Sequence, residues 1–216
     1  MRGVFITFEG ADGSGKSTQL RRAVRRLRDR GVDVVMTREP GGSSAGVQIR
    51  AIVLEPREPP IVPNAELLLI EADRAQHVAE TILPSLVRGA VVMCDRFTDA
   101  TIAYQGAGRG IDFSTIAALN AVATGGLTPD LTILFDVDVG EALRRLAARA
   151  GDGGEAPTRF DLERAEFHDR VRHGYLDLAS VAPHRIRTID ANRPVDAVGA
   201  DVDALVDDIL CRFAIS

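Results

Sequence analysis

Apolar and polar positions along this chain follow two rhythms. Continuous apolar runs stand at residues 3–8 (GVFITF), 90–94 (AVVMC) and 131–135 (LTILF), with a similar run, VDVVMT, at 32–37. Such runs suit strands of a parallel sheet covered on both faces. Residues 185–189 give a weaker last strand. Between the runs, apolar residues recur every three or four positions, the helical rhythm. Residues 17–30 place Leu20, Val24 and Leu27 on one face. Residues 48–54 read as a short helix, followed by a proline-rich loop over 55–63. Asn64 is the expected N-cap of a long helix whose Leu68, Ala72, Ala75, Ala79, Ile82 and Leu86 form one apolar stripe, the pattern of a face turned to a core. Pro84 should kink or break that helix. Further helices are expected near 111–123, 139–150 and 195–213. Repeated βα units predict an α/β fold, a doubly wound parallel β-sheet flanked by helices, with ligands at the carboxyl ends of the strands.

The first strand runs into Gly10-Ala11-Asp12-Gly13-Ser14-Gly15-Lys16-Ser17-Thr18, which fits G-x-x-x-x-G-K-[ST] and opens a helix. That order of strand, glycine loop and helix aims a helix N-terminus at an anion, so the segment reads as a P-loop. Backbone N–H groups wrap nucleotide phosphates there, the lysine supplies a compact charge, and the hydroxyl holds Mg²⁺. Lys16 is the only lysine among 26 basic residues. A planar guanidinium would not fill the same slot.

Composition narrows the setting. A chain of 216 residues with 45% hydrophobic and 26% charged content suits one globular domain. A net charge of −5 gives no reason to expect a nucleic-acid partner. No apolar stretch reaches transmembrane length, and the first residues read as a strand, not a leader; a cytoplasmic protein with no membrane partner is expected. Cys94 lies in a buried-looking strand and reads as a free, inert thiol. The four histidines show no metal-ligand spacing; His168 and His173, on a probable helix, do not share a face.

Several polar groups fall at strand ends. Asp95 and Arg96 follow the 90–94 run. The aspartate suits the Walker-B task beside Mg²⁺, and the arginine can grip a phosphate through two N–H groups. Asp136 competes for the metal task at the end of the next strand; the neighbouring arginine favours Asp95. Arg38, beside Pro40 and two glycines, is placed for a second anion.

FEGADGSGKST (8–18), TREPGG (37–42), ADRAQH (72–77), DRF (95–97), AYQGAGRG (103–110), PDLTILFDV (129–137) and IDA (189–191) occur in the order found in bacterial thymidylate kinases, which the chain resembles over nearly its whole length. The resemblance implies a P-loop kinase fold with a short lid at about 149–160. It also implies transfer of the γ-phosphoryl of ATP to dTMP with Mg²⁺, and a homodimer. Arg38 and Arg96 would hold the dTMP phosphate, and Asp12 would lie near the sugar or the transferring group. Glu9 would support the acceptor side, where Pro40 and Thr101 also belong. Arg74 would donate to thymine O4, Gln105 would sit close to the base, and Tyr104 would crowd the 2′ position. Arg145 would stack on adenine, with Asn192 in the opposite wall. The P-loop carries no arginine, so Arg149 and Arg159, flanking a glycine-rich segment, would supply transition-state charge from the lid.

The chain departs from the family at two positions. Ile70 stands where a phenylalanine usually stacks on thymine, and Glu71 replaces a small residue. These departures leave open a deoxynucleoside monophosphate kinase with another base preference. A P-loop ATPase or nucleotide switch is a third reading, but it leaves Arg38 and Arg96 with nothing to grip.

Overall fold

The computed structural model describes residues 2–151 and 157–214; of 149–151 it describes the backbone alone. Five strands form one parallel sheet: β1 (Phe5–Gly10), β2 (Val34–Arg38), β3 (Val91–Asp95), β4 (Leu131–Asp136) and β5 (Ile186–Asp190), in the order β2-β3-β1-β4-β5. Phe8 is in register with Asp95 on one side and Ile133 on the other. Because all strands run the same way, Gly10, Arg38, Asp95, Asp136 and Asp190 end on one edge. The chain reverses its direction of winding around β1, which opens a crevice at that edge.

Both faces of the sheet are covered, as the continuous apolar runs require. On one face α1 (Lys16–Asp29) and α9 (Val195–Arg212) bury Leu20, Val24, Leu27, Val202 and Val206 against Ile6, Phe8 and Ile133. On the other, Phe5, Val92, Cys94 and Phe97 pack with Val78, Ile82 and Leu86. Cys94 and Cys211 are both free thiols, and Cys94 is buried. Helices α6 (Phe113–Thr124) and α7 (Val139–Gly151) lie close to their expected spans. The helix expected around His168 and His173 is α8 (Ala165–Val181), where His168 is buried and His173 exposed.

Three expectations need correction. Helix α2 spans Ser44–Leu54 and starts earlier than expected, because the Ser43 hydroxyl accepts from the Gly46 N–H and caps it. Helix α3 spans Pro63–His77: Val62 is its N-cap, Pro63 sits in the first turn where a missing N–H costs nothing, and Asn64 is not the cap. Its apolar stripe faces outward. Leu68 is 57% exposed and Ala72, Ala75 and Ala79 are also exposed, while Glu66, Glu71, Asp73, Arg74 and His77 are buried. Only Ile82 and Leu86 of that stripe reach the interior. The register slips because the helix changes pitch: a π-helical turn at Val78–Ile82 precedes α4 (Leu83–Val87), which carries Pro84 in its first turn. The sequence rhythm also missed a short α5 (Thr98–Thr101) that runs into a second π-helical stretch, Ile102–Gly108. Among the described residues, no helix is long and apolar enough to cross a membrane.

Candidate active site

The β1–α1 turn has the geometry that its glycines dictate. Gly10, Gly13 and Gly15 all have positive φ (138°, 82° and 87°), a region closed to most side chains. A Cβ on Gly13 would lie 2.3 Å from the Ala142 carbonyl oxygen. Among the described residues no side chain caps α1, which leaves the Lys16 and Ser17 N–H groups at its N-terminus for an anion, while the Thr18 N–H donates to the Gly15 carbonyl. Lys16 is 5% exposed; its Nζ lies 3.3 Å from Asp12 Oδ1 and 4.0 Å from Asp95 Oδ1. The loop borders a cleft of about 910 Å³ at the carboxyl edge of the sheet, lined by Asp12, Gly13, Gly15, Lys16, Ser17 and Thr18. Gly10, Ala11 and Ser14 of the loop do not line the cleft, and the buried Ser14 hydroxyl has no hydrogen-bond partner among the described residues.

Two aspartates end neighbouring strands, and their surroundings separate them. The Ser17 hydroxyl donates to Asp95 Oδ2 at 2.5 Å. Asp136 is instead clamped by Arg172, whose Nε and Nη2 donate to its two oxygens at 2.7 and 3.0 Å. Ser17 and Asp95 are hard oxygen donors at the mouth of the P-loop, a set that fits Mg²⁺.

Arg96 follows β3 in a left-handed conformation, φ 73°, which is strained for a residue with a side chain. Its amide is held by the Phe8 carbonyl. Its Nη2 donates to Asp12 Oδ1 (2.9 Å) and the Tyr104 hydroxyl (2.9 Å), and its Nη1 donates to the Tyr175 hydroxyl (3.1 Å). Tyr104 in turn donates to Asp12 Oδ2. Burial alone would raise the Asp12 carboxyl, but Arg96 and Lys16 outweigh it and hold the group well below the usual carboxylate range. Glu9 lies one layer deeper. It accepts from the Phe97 N–H and the Tyr175 hydroxyl, each at 2.7 Å. Burial, reinforced by Asp99, pushes its carboxyl up to about 8 against the pull of Arg96.

The other end of the cleft rests on the polar face of α3. Arg74 is 1% exposed: its Nε donates to Glu39, its Nη1 to Glu71 and Asn120, and its Nη2 to the Phe97 carbonyl. Among the described residues four of its five N–H groups are thus placed and one is left over. His77 Nδ1 meets the second oxygen of Glu39 at 2.9 Å. Burial raises the Glu71 carboxyl despite Arg74, and raises Asp73 to about 6 with Glu39 adding to the effect. Arg38, Pro40, Ile70, Arg74, Thr101, Tyr104 and Gln105 all line the cleft, as expected. Arg38 is exposed and unpaired among the described residues. The Thr101 hydroxyl is buried without a partner among the described residues.

On α7, Arg145 lines the cleft and donates to the Ala191 carbonyl, so it touches the 191–193 turn. Asn192 does not border the cleft. Its Oδ1 accepts from the Asp138 N–H and its Nδ2 donates to Asp190. The side chain of Arg149 lies outside the described residues. Arg159 does not line the cleft: its Nη1 pairs with Glu66 Oε2 at 2.6 Å and its Nε donates to the Val53 carbonyl. Its neighbours Thr158, Phe160 and Asp161 line the cleft instead. Sequence reasoning missed Glu39, Phe160 and Tyr175. Tyr175 carries no motif, and only its place on the inner face of α8 brings it to Arg96.

A phosphate-binding loop and an arginine-lined pocket thus share one cleft, and the sequence model described as Thymidylate kinase matches residues 8–202. The chain belongs to the thymidylate kinase family. A thymidylate kinase of Geobacter sulfurreducens is 51% identical over 211 residues, covering 97% of this chain and 98% of the relative. One from Pseudomonas putida (strain GB-1) is 48% identical over 98% of this chain and 99% of its own length. One from Solidesulfovibrio magneticus is 49% identical over 96% and 100%.

Proposed function

We infer that this thymidylate kinase family member phosphorylates dTMP to dTDP at the expense of ATP, with the two nucleotides entering opposite ends of the cleft. The carrying observation is that Lys16 and Arg96 both bond one carboxylate, Asp12, at 3.3 and 2.9 Å. The donor and acceptor phosphate grips therefore converge on one point. Phosphoryl transfer needs that convergence and charge neutralisation more than it needs a covalent nucleophile.

Lys16 and the α1 N-terminus hold the ATP phosphates, and Arg145 borders the adenine. Ser17 and Asp95 would hold Mg²⁺, which neutralises phosphate charge when bound. Arg38 and Arg96 grip the dTMP phosphate. Asp12, held ionised, orients Arg96 and faces the sugar. Arg74 offers its remaining N–H to the base, and Ile70 packs on it. Arg149, from the lid, supplies further charge. Arg159 joins it only by leaving Glu66 and the Val53 carbonyl.

The outward apolar stripe of α3, with Phe113 and Val122 exposed on the adjoining α6, supports a homodimer. Two free cysteines and nucleotide substrates accord with the cytoplasm. An ADP-release assay with a panel of nucleoside monophosphates tests the activity: dTMP should give the highest kcat/KM. Another preferred monophosphate, or ATP hydrolysis indifferent to all of them, would contradict it. Sedimentation equilibrium should return about twice the 23.2 kDa chain mass.

A further inference from the structure

We propose that Glu66 sets the base preference of the acceptor pocket by fixing which end of the Gln105 carboxamide faces it. The inference rests on reading the Ile70–Gln105 end of the cleft as the base site. Glu66 stands in the first turn of α3 and is fully buried. Its Oε1 accepts from Gln105 Nε2 at 2.6 Å, and its Oε2 pairs with Arg159 Nη1 at 2.6 Å and Arg109 Nη2 at 3.2 Å. Arg109 is itself fixed by Glu163 at 2.5 Å and lies 4.7 Å over the Phe167 ring. Gln105 from the π-helical stretch, Arg109 just after it and Arg159 therefore converge on this carboxylate.

A carboxylate paired with two guanidiniums only accepts hydrogen bonds, so it admits only the NH₂ end of Gln105. The carbonyl end is left over. Gln105 is 2% exposed and lines the cleft, and its Oε1 makes no hydrogen bond among the described residues. The pocket therefore offers an acceptor. Thymine and uracil carry an N–H at N3 and complement it. Cytosine carries a lone pair there and meets lone pair with lone pair. Rejection of the wrong base then comes from a repulsive contact that Glu66 holds in place. Glu66 is a positioning residue: it acts through Gln105 and does not touch the base.

The test is kcat/KM for dTMP and dCMP in wild type, Glu66→Gln and Gln105→Leu. A glutamine at position 66 can donate or accept, which lets Gln105 flip. The dTMP-to-dCMP ratio should fall by roughly tenfold or more in Glu66→Gln, through a lower KM for dCMP, with the KM for ATP unchanged. Gln105→Leu should lose dTMP efficiency by a similar factor and gain none toward dCMP. If Gln105→Leu behaves so while Glu66→Gln keeps the wild-type ratio, Glu66 has no part in selectivity and the proposal is overturned. If neither variant alters dTMP kinetics, the base lies elsewhere and the pocket reading falls with it. A measurement on the wild type covers the case in which Glu66→Gln does not fold. The Gln105 side-chain NH₂ resonances should be protected from hydrogen exchange with and without dTMP; fast exchange in the free enzyme would overturn the proposal.

Discussion

Helices α1 and α3 are nearly equal in length, 14 and 15 residues, and border the same cleft, yet α1 buries mostly apolar side chains and α3 mostly charged ones. Helix α1 buries Leu20, Ala23, Val24 and Leu27 and works through its N-terminus. Helix α3 buries Glu66, Glu71, Asp73, Arg74 and His77 and works through its flank. One is anchored by apolar area, whose worth is roughly additive and independent of direction. The other is anchored by a network in which each charge depends on its partners, so that losing one strands the rest.

That difference ranks the substitutions that would break it. Arg74→Ala leaves Glu39 and Glu71 buried without their cation, and it should cost the most, about 3–5 kcal/mol of unfolding free energy in a denaturant titration. Val24→Ala, on the apolar face of α1, should cost less; an equal or larger loss there would dissolve the contrast. Lys16→Ala should reduce kcat by roughly 10²-fold or more while leaving the unfolding midpoint in place, because its charge serves the phosphates and Asp12 keeps Arg96. Turnover near the wild-type rate would remove the P-loop from the mechanism.

Titration sharpens the contrast. The Glu9 carboxyl is raised from 4.5 to about 8 in the folded protein. Between those values the native state binds a proton that the unfolded chain has lost, so stability falls as pH rises through the window. Glu9→Gln removes that dependence. Its stability relative to wild type should grow between pH 5 and 8, by at most about 1.4 kcal/mol per pH unit. A constant difference across that range would show that Glu9 is ionised throughout. The smallest effect is expected at Ile70→Phe, which should lower the KM for dTMP by no more than about tenfold, the worth of one stacking contact. A higher KM would mean that the wall beside Arg74 has no room for a ring.

The same contrast explains what could be read in the sequence. The strands, α1 and the P-loop obey local rules: continuous apolar runs, a 3.6-residue rhythm, and glycines where positive φ is required. Their positions followed from the chain alone. Of the expected site residues, all line the cleft except Glu9, Gly10, Ala11, Ser14, Asn192 and Arg159, and Arg149, whose side chain lies outside the described residues. The buried face of helix α3 does not follow the local rule. Its apolar stripe at Leu68, Ala72, Ala75 and Ala79 faces outward, because the inward face is the binding site and the core beneath it is polar. The choice between Asp95 and Asp136 likewise needed space: Arg172, on α8, reaches Asp136, and Ser17 reaches Asp95. Arg159 could not be placed from sequence either, since its partner Glu66 is 93 positions earlier.

The central claim is that the P-loop end of the cleft takes ATP and the arginine-lined end takes dTMP. Arg38 tests it most directly, because its side chain is exposed and has no partner among the described residues, so its loss should leave the fold intact. Calorimetric titration of Arg38→Met with each nucleotide separately should show dTMP affinity reduced by at least roughly tenfold, as expected for losing a charge-assisted phosphate contact, with ATP affinity unchanged. Weaker ATP binding with dTMP binding intact would contradict the assignment of the two ends.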